Sequence, residues 1–167
     1  PPLAGPQPPQ AAMTLSPTIG PVGTAVSVFA AVTSGSNPPS TGITVSCDAS
    51  SIDGSTVTLL DNGIAPDVAA GDLIFSGTAI VGPSSPFGIQ TLTSNVLDAQ
   101  GRTASATATF NVIPPPAPND ECSGATEIFS GSNFADNTAA QTTTAACTGG
   151  NDVWYFWVAD FTGNAEA

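Results

Sequence analysis

The chain has 167 residues and sets 13 acidic side chains against one base, Arg102, with no Lys and no His, for a formal net charge of −12. A single arginine cannot displace counterions from a phosphate backbone or hold a segment on anionic lipid, which argues against nucleic acid and membrane surfaces as partners. No apolar run approaches the ~20 residues that cross a bilayer, and without His or Lys there is no residue for a catalytic triad, an imidazole base or a Schiff base.

Thr, Ser, Gly and Pro dominate the remainder, and hydrophobic residues make up 41% of the chain. Thr and Val favour a pleated, half-buried surface, Gly and Pro punctuate turns, and this much apolar surface can support a packed core. The expectation is an all-β protein. Residues 1–12 open as PPLAGPQPPQ and read as a Pro-rich arm or linker. The Pro1-Pro2 start, without a charged leader, reads as a processed chain or a piece of a longer one.

From residue 13 to 113 short strands alternate with turn clusters. Val26, Val28, Ala30 and Val32 fall on one face of the first clear strand; Ile43, Val45 and Cys47 share a face of the next. Val57 and Leu59 alternate with threonines, and apolar stretches follow at Leu73–Val81 and Gln90–Leu97. The plainest strand is the last, in which Ala104, Ala106, Ala108, Phe110 and Val112 alternate with Thr103, Ser105, Thr107, Thr109 and Asn111. Its approach, Asp98-Ala99-Gln100-Gly101-Arg102, places Gly where a short hairpin loop needs positive φ. About seven strands in a hundred residues indicate an immunoglobulin-like sandwich.

Residues 114–118 form a second Pro-rich linker, and 119–167 a small β segment. There the strand Val153-Trp154-Tyr155-Phe156-Trp157-Val158 carries large side chains on both faces, so it calls for cover on both. The segment is short for an independent core, and is expected to be incomplete or completed by a partner. Cys122 and Cys147 lie within it; a disulfide closing a loop of about 25 residues would contribute roughly 3 kcal/mol. Cys47 reads as a buried thiol on an apolar face.

The stretch Asp61-Asn62-Gly63-Ile64-Ala65-Pro66-Asp67-Val68-Ala69-Ala70-Gly71-Asp72 gathers three carboxylates in one loop. Asp61, Asp67 and Asp72 suit a hard cation, with calcium the candidate, although the spacing is not that of an EF-hand; the same residues also simply make turns. The other acids sit in turn contexts, so no catalytic pair is assigned and the protein is expected not to be an enzyme. Trp154–Trp157 would offer sugars a stacking surface on one face at most, because alternate residues of a strand point opposite ways.

Residues 13–113 resemble the bacterial Ig-like modules of large secreted and surface proteins, in the closing hairpin Val96–Ala104 and the loop from Asp61 to Phe75. Residues 119–160 resemble the opening of a β-rich repeat of secreted multidomain proteins of planctomycetes and related bacteria, through Asn119-Asp120-Glu121-Cys122, Cys147 and Asp152-Val153-Trp154-Tyr155. These resemblances imply an extracellular or cell-surface protein without catalytic residues. The leading expectation is a structural module of such an assembly, self-associating into a fibre, with copies of itself or other surface proteins as partners. Ala11, Met13 and Leu15 would then be donated on a strand, and Trp154 and Phe156 covered. The alternative is a carbohydrate-binding or adhesive accessory domain.

Overall fold

A computed structural model describes residues 5–52, 55–120, 122–129, 140 and 153–158. The chain divides into two compact units, Pro1–Ile113 and Pro114–Ala167.

The first unit is an all-β sandwich. Its strands are β1 (Gln10–Ser16), β2 (Ile19–Gly20), β3 (Ala25–Thr33), β4 (Thr44–Asp48), β5 (Thr56–Leu59), β6 (Ile74–Ile80), β7 (Gly88–Leu97) and β8 (Thr103–Val112). One sheet has the order β1-β3-β6 and the other β2-β8-β7-β4-β5. All pairs are antiparallel except β2 with β8. The two-residue period of the sequence sets which side chains meet. Val26, Val28, Ala30 and Val32 of β3 face Val45 and Cys47 of β4, Leu92 and Val96 of β7, and Phe110 and Val112 of β8 in one apolar core. Ser94 is fully buried among them, its Oγ donating to the Ala106 carbonyl at 3.3 Å; a hydroxyl is tolerated there because it has a partner.

Both sides of the sandwich are tied. On one side a single stretch serves both sheets: β1 pairs with β3, and beyond Pro17 the chain crosses to pair with β8. The Thr18 carbonyl accepts from Asn111 N at 2.9 Å and the Gly20 carbonyl from Ile113 N at 3.1 Å. On the other side Leu60 and Ser76 exchange both backbone hydrogen bonds, each 2.8 Å, joining the end of β5 to β6.

One boundary differs from the sequence reading. β1 begins at Gln10, so the last three residues of the expected arm belong to the sandwich. They carry no large side chain to signal a strand; pairing of Gln10, Ala11 and Ala12 with Thr33, Val32 and Ala31 makes them one. Ala11, Met13 and Leu15, expected on a donated strand, lie on β1. These residues pair with Val32, Ala30 and Val28 of the same chain. Met13 and Leu15 are buried in its own core, with Ala11 packed against it.

In the second unit, a 3-10 turn at Cys122–Gly124 precedes β9 (Thr126–Ile128), which pairs in parallel with β10 (Tyr155–Trp157). Asn119 anchors the pair, its carbonyl accepting from Trp154 N at 2.7 Å and its Nδ2 donating to the Trp154 carbonyl at 3.1 Å. Cover on both faces of the aromatic strand was expected. Phe156 at 46%, Trp157 at 45% and Val158 at 59% are exposed, as is Phe129, so the chain by itself does not supply that cover. The expected Cys122–Cys147 disulfide lies outside the described residues.

Candidate functional site

Two places in the sandwich concentrate charged and polar groups. The first is the loop between β5 and β6, whose ends the Leu60–Ser76 tie brings together. Within it one carboxylate oxygen from each of Asp61, Asp67 and Asp72 lies within 4.8 Å of the others, with Asp67 buried, Asp61 half-buried and Asp72 exposed.

Backbone donors explain how three acids come so close. Asp61 accepts from Gly71 N and Asp72 N through Oδ1 and from Leu73 N through Oδ2. Asp67 Oδ2 accepts from Asn62 N and Gly63 N, both at 2.6 Å, and Asp72 Oδ1 from Ile74 N at 2.9 Å. The turns that aim these N–H groups require left-handed backbone, with φ of 71° at Gly63 and 80° at Gly71. Leu73 also takes φ of 65°, which is costly for a side chain with a Cβ; its N–H is held by Asp61. The Gly63 N–H lowers the pKa of Asp67 from its ordinary value, against the opposing effect of burial. One oxygen from each carboxylate would supply three of the six to eight that calcium takes. At least six backbone N–H groups donate to these acids, and these bonds close the loop.

The second place is the end of the sandwich where the arm arrives. Asp98 opens the β7–β8 hairpin, and its Oδ1 accepts from Gln100 N at 3.1 Å and Arg102 N at 2.8 Å. Its Oδ2 accepts from Arg102 Nε and Ser40 Oγ, both at 2.8 Å. Burial pushes the Asp98 carboxyl up. The Arg102 N–H, the Ser40 hydroxyl and the Arg102 guanidinium outweigh it and leave the pKa lowered. Arg102 Nη1 reaches away from this pair, donating to the Gln7 carbonyl at 2.7 Å and the Ser36 carbonyl at 2.9 Å.

Sequence reading saw Arg102 only as the lone base behind a hairpin glycine. Its scarcity was the one available signal, since the carbonyls it holds lie 95 and 66 residues away. Of the other residues singled out, Ala11, Met13 and Leu15 are in β1, whereas Trp154 and Phe156 belong to the second unit. Cys47 is buried on β4, in register with Ser94 and Val57. No protein-family model matches the chain, and no curated protein matches it.

Proposed function

We propose that this chain is a structural module of an extracellular or cell-surface assembly, with the sandwich acting as an in-line spacer rather than an enzyme. The observation that carries the reading is where the chain enters and leaves the first unit. The arm arrives beside Ser36 and the β7–β8 hairpin, and β1 starts opposite Thr33. β8 then runs from that hairpin for ten residues, and its last residue, Val112, pairs with Gly88 and Gly20 at the other end. Ten residues at about 3.4 Å each separate the two points by roughly 30 Å. Pro-rich sequence lies on both sides, at residues 1–9 and 114–118, and such segments are semi-rigid spacers.

The strand order supports an immunoglobulin-like module, and the lack of Lys and His fits a role without proton-transfer chemistry. Self-association, on this reading, does not use β1. It falls to the exposed Phe129, Phe156, Trp157 and Val158 of the second unit. The same exposed rings favour one other reading, a surface on which sugars stack.

The test is immunogold labelling of the source cells with antibody to residues 13–113, together with glycan-array binding by the purified chain. Surface or extracellular label without glycan binding is expected. Cytoplasmic label overturns the proposal, and glycan binding abolished by Trp157→Ala replaces it with the second reading.

A further inference from the structure

We infer that Arg102 and Asp98 form a latch that locks the entering arm onto the end of the sandwich and fixes the direction in which the preceding chain departs. The inference rests on the in-line reading above and adds to it a specific rigid joint.

In a chain with 13 acids, the sole base is committed to one place. The Arg102 side chain is only 13% exposed, and Nη2 lies 2.8 Å from Oδ2 of Asp98, whose side chain is fully buried. The guanidinium joins three separate segments. It holds Asp98 of its own hairpin, Ser40 Oγ and the Ser36 carbonyl of the β3–β4 connection, and the Gln7 carbonyl of the arm. Such use of several donors in fixed directions needs a planar fork; an ammonium on a flexible stem does not provide it.

The arm is seated as well as tethered. Gln7 and Ser36 exchange backbone hydrogen bonds of 2.8 and 3.1 Å, and Pro9 is buried. The Gln7 carbonyl passes so close to Gly35 that a Cβ there would meet the oxygen at 2.3 Å and the Pro8 carbonyl carbon at 2.9 Å. A backbone atom at that range cannot rotate aside as a side chain would, so the seat requires glycine. Gln7 spends its own side chain on the Gly5 carbonyl. The hydrogen bonds that hold Gln7 are therefore all to main chain, with the Pro9 ring buried beside them.

The test uses the full chain, labelled with ¹⁵N for NMR relaxation, in three forms: unaltered, Arg102→Lys and Gly35→Ala. The first variant removes the fork and keeps the charge; the second crowds the seat of the arm and changes neither Arg102 nor Asp98. In the unaltered chain the Gln7 amide is expected to be as rigid as Met13 in β1, with an order parameter near ~0.85, and the Arg102 Nε–H to exchange slowly. In both variants Gln7 should fall below about 0.6 while Met13 stays rigid. A mobile Gln7 in the unaltered chain overturns the latch, as does a Gln7 that stays rigid in Arg102→Lys, and the first outcome remains readable if Arg102→Lys does not fold. The in-line reading fails separately, by spin labels at Gly5 and Pro114 lying much closer than roughly 30 Å, whatever Gln7 does.

Discussion

Asp98 keeps its charge at a buried position because backbone, hydroxyl and guanidinium donors all converge on it. With its folded pKa below the ordinary value of 3.8, the unfolded chain takes up the proton first on acidification. The contribution of Asp98 to stability is thus complete at neutral pH. It begins to decline as pH falls through about 4 and is lost once the pH has passed the folded pKa. Asp67 acts in the same direction. Urea unfolding between pH 7 and pH 2 should show a falling acid limb that Asp98→Asn makes shallower, along with a lower midpoint at neutral pH; an unchanged limb would refute the assignment. Asp61 is a different kind of test, since it accepts from three backbone N–H groups. Asp61→Ala strands these donors and should cost about 1–3 kcal/mol. Melting in CaCl2 and in chelator separates loop closure from cation binding. Closure alone gives the loss in both solutions, whereas a calcium-dependent rise in Tm that Asp72→Asn abolishes reports coordination.

At the scale of elements, β1 is the strand whose assignment changes most between sequence and structure, and its energetics are correspondingly testable. Leu15 is buried opposite Val28, so Leu15→Ala should leave a cavity and cost about 2–4 kcal/mol. Because β1 is used within its own chain, the melting temperature of a chain ending at Ile113 should not depend on protein concentration; a midpoint rising with concentration would indicate exchange of β1 between copies. The contrast with β8 shows what the sequence encodes. β8 was legible because Phe110, Val112 and the alanines alternate with threonines without interruption. The start of β1 was not, because Gln10, Ala11 and Ala12 become a strand only by lying against β3. The acidic loop was visible for the opposite reason, its three carboxylates and its turn-forming glycines all falling within one short stretch. The Leu60–Ser76 tie and the Arg102 latch join residues distant in sequence through main-chain atoms, which carry no side-chain signature.

For the whole molecule, both units leave large apolar side chains exposed, Phe87 and Ile89 on the sandwich among them, but among the described residues they differ in the core beneath. Every residue of the buried core cluster lies within residues 11–112, and both sides of that sandwich are tied by backbone hydrogen bonds. The described part of the second unit pairs only two three-residue strands and leaves Phe129, Phe156, Trp157 and Val158 exposed. At neutral pH a net charge of −12 keeps copies apart. Near the isoelectric point of about 4.1 that repulsion disappears, and exposed apolar groups can associate. Sedimentation of the full chain should therefore show mass increasing with concentration, most strongly close to pH 4. A chain ending at Ile113 should fold cooperatively and sediment as a monomer at neutral pH, because it retains the core and both ties while lacking Phe129, Phe156 and Trp157. If the shortened chain associates as strongly as the full one, the contact lies on the sandwich, and the second unit loses its assigned role. If Phe156→Ser with Trp157→Ser abolishes association while the sandwich melts unchanged, the aromatic strand is the contact.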